Sequence, residues 1–202
     1  MTSRIFKYSE LTFVSENANK HAEYEKLLGI SGLRWSNRPL PEPQDVDITE
    51  LALQKVRFLI PQMGGVPFFV EHSGLVIHAW RRLPGGLTRA FLDNVGNEGI
   101  CRMMSGHEGD DRRASAVVVI GFHLPEGEDR SFEGRKRGTI SRFPIGSMNF
   151  GWDPIFIPDG QPGGERRTYG QMTLTEKNNL SMRRAAAEAF WEALLATGRF
   201  EM

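Results

Sequence analysis

The chain is 202 residues long with 40% hydrophobic content, enough to bury a sizeable core, and one unit over residues 1–202 is the expectation. Its 25 Lys and Arg residues balance 25 Asp and Glu residues, so no global field draws it to nucleic acid or a membrane, and a bound anion must be held locally. The one cysteine, Cys101, excludes an intramolecular disulfide and a thiolate metal cluster; with no signal-peptide core and no run of about 18 apolar residues, a soluble cytoplasmic protein is expected.

In chain order, LTFVS (11–15) predicts a short strand running into the loop ENANK. KHAEYEKLLG follows as a helix, with Tyr24, Leu27 and Leu28 on one face and Gly29 as a stop. NRPLPEPQD is a surface connector, and ITELALQKVRFLI resumes helical spacing with Thr49 as the expected cap. VPFFV predicts a buried strand that ends in Glu71-His72-Ser73-Gly74, with the glycine turning the chain and LVIHAW as a continuation. After the turn LPGG, TRAFLDNVGNEGICRMMSG predicts a helix broken around Gly96 to Gly99. ASAVVVIGFHL is the clearest strand, and SFEGRKRGTISRF alternates as a further strand or hairpin arm. FPIGSMNFGWDPIFIPDG predicts an ordered loop flanking a short strand; LTEKNNLSMRRAAAEAFWEALLATG predicts one long helix capped at Thr175. Strands and helices alternate, so the fold class is α/β.

Four segments carry side chains suited to chemistry. SENANK (15–20) places a hydroxyl, an amide and Lys20 at a helix start, where dipole and ammonium both favour an anion; the alternative is a capped turn with a solvated lysine. Glu50 and Glu71 are oxygen ligands of the type Mg²⁺ takes, although Glu50 at a helix start also suits the dipole without a metal. His72 is available as a base near neutral pH but is a poor Mg²⁺ ligand. In NFGWDPIF (149–156), Gly151 permits close backbone approach, Trp152 offers a face to a flat ring and Asp153 an acceptor for a ring edge or ribose; the alternative is aromatic core filling. EKNNLSMRR (176–184) supplies cations at Lys177, Arg183 and Arg184, on what is otherwise a basic surface helix.

The order of these segments resembles that of the inosine triphosphate pyrophosphatases, which clear non-canonical purine nucleoside triphosphates, over about residues 10 to 195. FVSENANK, ITELALQKV, VEHSGL, LPGGLTRAFLDNVGNEGI, FEGRKRGTI, NFGWDPIFIPDG and LTEKNNLSMRR occur in family order. The resemblance implies an elongated two-lobed mixed sheet flanked by helices around a central nucleotide-binding cleft, a homodimer, and Mg²⁺-assisted cleavage of ITP, dITP or XTP to monophosphate and pyrophosphate. It implies that Ser15, Asn17, Lys20 and Lys177 hold the triphosphate, that Ser73 binds substrate, and that Glu50 and Glu71 ligate Mg²⁺. Phe150, Trp152 and Asp153 would line the nucleoside pocket, with Arg183 reading the 6-oxo edge.

Three positions depart from the family pattern. His72 stands where the family has the aspartate that helps bind metal and activates water, Met182 where it has a histidine, and Leu51 where it has an asparagine. The catalytic assignment therefore rests on Glu71 and, in competition, on His72 itself. Two functions follow from the resemblance: a catalytically impaired sensor of dITP, ITP or XTP, or a working pyrophosphatase with His72 or Glu71 as base. Similar domains in bacterial antiphage systems suggest an effector such as a sirtuin-like NAD hydrolase as partner of a sensor.

Overall fold

The computed structural model describes residues 4–147 and 150–201. In chain order the elements are β1 (Phe6–Lys7), β2 (Thr12–Val14), α1 (Ala18–Leu28), β3 (Arg34–Ser36), α2 (Ile48–Leu59), β4 (Phe68–Ile77) and β5 (Pro84–Gly85). They continue with α3 (Thr88–Met103), β6 (Arg113–His123), β7 (Arg130–Ile140), β8 (Phe156–Pro158), α4 (Leu174–Asn179), α5 (Met182–Ala196) and β9 (Phe200–Glu201). The main sheet runs β3-β2-β4-β6-β7-β8, with β5 on β4, while β1 and β9 pair separately near the two ends of the chain. β2 is parallel to β3 and β4; the pairs from β4 through β8 are antiparallel. This is the α/β class expected from the alternating pattern, with the mixed sheet that the family resemblance implies.

Strand alternation sorts the helices to opposite faces. Ala116, Val118, Ile120 and Phe122 of β6 share a core with Ala186 and Phe190 of α5, whereas Val117 and Val119 pack with Ile48 and Ala52 of α2. On the α5 side, Phe69 stacks on Phe13 at 4.8 Å, meets Tyr24 edge-on at 5.2 Å and contacts Phe190 at 5.0 Å. Each buried ring contributes roughly 1.5–3 kcal/mol. Together they lock β2, β4, α1 and α5 and fix the direction of the Tyr24 hydroxyl.

The chain does not turn at Gly74, because β4 runs straight on to Ile77. Gly74 is needed for closeness: a Cβ there would lie 2.4 Å from the Gly85 carbonyl oxygen, so only glycine lets β5 approach. Two expected caps also move. Asp47, not Thr49, accepts from the Thr49 and Glu50 amides at the start of α2. The C-terminal helical stretch is two helices, capped by Thr173 and Ser181 rather than Thr175. Asp47, Thr173 and Ser181 hold extended backbone with an oxygen directed at the next free amides, the geometry a cap requires. The break expected within α3 is present at Gly96, where φ is 65°.

Candidate active site

β2 ends opposite Val70 and β5, antiparallel to β4, ends opposite Leu75, so the edge of β4 between them, Glu71–Gly74, is covered by neither strand. Ligand clefts in α/β sheets open beyond such strand ends. Two connected chambers open here, meeting at Lys20 and Phe150. One, of about 350 Å³, is lined by Asn17, Lys20, Lys55, His72, Ser73 and Arg89 among others. The second, of about 540 Å³, is lined by Phe150, Asp153, Tyr169, Lys177 and Arg183 among others. Both volumes lie within the range of small-molecule sites, about 300–1,000 Å³.

Glu71 and His72 are neighbours in sequence but point to opposite faces of β4, opposite Ile120 and Val119 respectively. Glu71 turns to the α1 and α5 side. Its carboxylate accepts from Tyr24 Oη at 2.7 Å, Arg183 Nε at 2.6 Å and Arg183 Nη2 at 3.0 Å, and pairs with Lys20 Nζ at 2.9 Å. Burial alone would raise its pKa, but Arg183 and Lys20 hold the carboxyl well below the usual range. Arg183 also pairs with Glu23 at 2.6 Å. The buried network is therefore neutral, two cations against two carboxylates.

The reach of Arg183 depends on a glycine. A Cβ at Gly134 of β7 would sit 2.0 Å from the Met182 carbonyl oxygen, so its absence lets the first turn of α5 lie against the sheet. Ser181 caps that turn through the Arg183 amide. Three of the five guanidinium N–H groups face carboxylates, leaving two.

His72 faces α2. Its Nε2 lies 3.3 Å from the Gly86 carbonyl, and burial, then the Lys55 ammonium, pulls the imidazole down to about 4 against the opposing field of Glu42. The ring is thus neutral at pH 7. Lys55 is 4% exposed at its side chain and pairs at 2.8 Å with Glu42, whose side chain is 60% exposed on the connector before α2. Neither Lys55 nor Glu42 was among the residues expected from the sequence. Lys55 was nonetheless legible, because it falls in the stripe Leu51, Lys55, Leu59 that is otherwise apolar and buried.

At the start of α1, Ser15 Oγ accepts from the Asn17 amide at 3.1 Å and Asn17 Oδ1 caps the Asn19 and Lys20 amides at 3.0 and 3.3 Å. The helix end and Lys20 border the smaller chamber. Lys177 bonds Asp153 and lies 4.3 Å over the Phe150 ring and 5.6 Å from Tyr169, forming one wall of the larger chamber. Burial pushes the Asp153 carboxyl up, opposed by Lys177. Trp152 is buried and borders the smaller chamber; among the described residues its indole N–H has no acceptor. Asn149, the first residue of NFGWDPIF, lies outside the described residues.

Glu50 is not brought to the cleft. Its carboxylate pairs with Arg57 at 2.9 Å and accepts from Gln54, and it lines neither chamber. With Glu71 engaged by three side chains and His72 adding no carboxylate, Glu42, exposed on the wall of the smaller chamber, is the carboxylate there that could ligate Mg²⁺ together with substrate phosphates. Among the described residues no group of three or more His, Cys, Asp or Glu side chains is placed to hold a metal. Nor is any described helix long and apolar enough to cross a membrane.

Comparison with known proteins matches this arrangement to a family. The chain is 35% identical to a dITP/XTP pyrophosphatase of Methanopyrus kandleri, covering 91% of this chain and 95% of that protein. It is 38% identical to an inosine triphosphate pyrophosphatase of Emericella nidulans, covering 86% and 90%. Among solved structures, a HAM1 protein from Coxiella burnetii superposes with a TM-score of 0.78 at 27% identity, over 92% of this chain and 98% of the other. A nucleoside-triphosphatase / dITP/XTP pyrophosphatase from Mycobacterium abscessus gives 0.70 at 29% identity, over 89% and 98%. Residues 11–193, from β2 to the last turns of α5, match the Ham1 family, and the chain belongs to that family.

Proposed function

We propose that the cleft binds a 6-oxo purine nucleoside triphosphate, dITP, ITP or XTP, and has lost most of the family's hydrolysis, so that the protein acts as a nucleotide sensor. The observation that carries this reading is the pairing of the two chambers. A purine and its sugar suit the larger one, between Phe150, Tyr169 and the Asp153–Lys177 pair, with the two remaining N–H groups of Arg183 for the 6-oxo group. The phosphates suit the smaller one, at the N-terminus of α1 and beside Lys20 and Lys55. Ser15 and Asn17 shape that helix end, and Ser73 supplies a hydroxyl on its wall.

Weak hydrolysis is inferred from charge. Water activation needs a base able to take a proton, and Glu71 is enclosed by Lys20, Arg183 and Tyr24, which lowers its basicity. His72 is a poor acceptor for the same task because burial and Lys55 lower its pKa. Mg²⁺, in this reading, arrives on the triphosphate as part of the substrate. The resemblance to the inosine triphosphate pyrophosphatases adds a homodimer to this reading, and the likeness to antiphage sensor domains adds an effector partner of the NAD-hydrolase type.

A second reading, an active pyrophosphatase for dITP, ITP or XTP, is favoured by the activities named for the relatives. Incubation with dITP, ITP, XTP and dATP in Mg²⁺ separates the two, with calorimetric binding and pyrophosphate release both followed. The sensor reading expects binding of the 6-oxo nucleotides in preference to dATP and turnover far below the ~10 s⁻¹ of a typical enzyme. Turnover at that ordinary rate establishes the second reading, and failure of every 6-oxo nucleotide to bind removes both.

A further inference from the structure

We infer that Asn97, at the break in α3, is a positioning residue of the cleft: it ties the Gly151 carbonyl to α3 and so fixes Phe150 and Trp152, the residues on either side of Gly151. The inference rests on nucleotide binding in this cleft.

The break in α3 creates the contact. Gly96 holds φ 65° and ψ 179°, a backbone region open in practice to glycine alone, and a Cβ there would meet nothing within 4 Å, so the demand is one of conformation rather than space. At the next residue, Asn97 Nδ2 donates to the Gly151 carbonyl at 2.9 Å. A carbonyl only accepts, so it is the amide nitrogen of Asn97 and not its oxygen that faces Gly151. The Asn97 Oδ1 is buried and meets no donor among the described residues, which leaves this as the one hydrogen bond the side chain makes among them.

The turn at 150–153 takes this support from outside itself. The Phe150 carbonyl accepts from the Asp153 amide and the Trp152 carbonyl from the Ile155 amide, both at 3.0 Å. The Gly151 carbonyl between them is met instead from α3, by a residue 54 positions away in sequence. Packing holds Gly151 loosely: apart from its chain neighbours, a Cβ there would touch only Leu92 of α3, at 3.8 Å. Yet the residues beside it frame the site, Phe150 lining both chambers and Trp152 the smaller one. A turn left untied at Gly151 has to be ordered when the nucleotide binds, and that ordering cost is subtracted from the affinity.

Two variants of the full chain test the inference. Asn97→Leu keeps the size of the side chain and the charge of the cleft but removes the donor, whereas Asn97→Gln keeps an amide. Calorimetric titration with dITP in Mg²⁺ is expected to show binding weakened about 3- to 10-fold in Asn97→Leu and within about 2-fold of the unsubstituted protein in Asn97→Gln. The Tm of both variants is expected to stay within about 3 °C of the unsubstituted protein, because residue 97 is half-buried and its bond goes to an exposed residue. Unchanged affinity in Asn97→Leu would overturn the inference. So would an equal loss in Asn97→Gln, or a loss that comes with a larger fall in Tm, the mark of a structural role alone. Failure of the unsubstituted protein to bind dITP is a distinct result, which overturns the nucleotide reading and this inference with it.

Discussion

His72 shows how far one side chain is governed by what surrounds it. An exposed imidazole has a pKa of about 6.5, whereas here burial and Lys55 lower it to about 4. Between those values the unfolded chain takes a proton that the folded chain refuses. Stability therefore falls as pH drops from about 6.5 to about 4, and the contribution levels off near 3 kcal/mol below that. Above about 6.5 both states are neutral at this residue and nothing is lost. An NMR titration of the His72 ring protons should give a midpoint near 4. A midpoint at the ordinary histidine value would mean that the ring is open to water and able to act as a base at neutral pH. The sequence made His72 visible as a polar residue at the end of an apolar strand, but not its isolation from Glu71, which follows from strand alternation and from which helix covers each face.

At the scale of elements, the packing of α5 on β7 decides whether Arg183 reaches Glu71. Gly134→Ala would place a methyl against the Met182 carbonyl and the Ala186 amide, backbone groups that yield only if the first turn of α5 moves. Overpacking of this kind costs about 1–3 kcal/mol, so Tm should fall by several degrees. Affinity for dITP should fall with it, because Arg183 and Lys20 meet at Glu71. A variant with unchanged Tm and affinity would show that the close approach at Gly134 does not position Arg183. Elements with strong internal signals were legible in the sequence: the β6 run of Val and Ile, the α3 break at Gly96, and Gly29 closing α1 with φ at 66°. Caps were less so. Several hydroxyl or carboxylate residues stand near each helix start, and backbone direction alone selects Asp47 over Thr49 and Thr173 over Thr175.

For the whole molecule, the sheet order places β4 between β2 and β6 and brings chain segments far apart in sequence to one cleft. The order of motifs made the family and the α/β class legible before any geometry was known. It did not reveal the Lys55–Glu42 pair, the Glu23–Arg183 contact or the turning of Glu50 towards Arg57, because each depends on which face of a helix meets the sheet. The central claim is that a nucleotide cleft of the Ham1 fold persists here with its hydrolytic machinery weakened at β4. Its most direct test is the rate of pyrophosphate release from saturating dITP and Mg²⁺ by the protein and by His72→Asp. The account predicts slow release by the protein and faster release once a carboxylate stands at position 72. Rapid release by the protein, lost in His72→Asp, would contradict it and identify the imidazole as the working base.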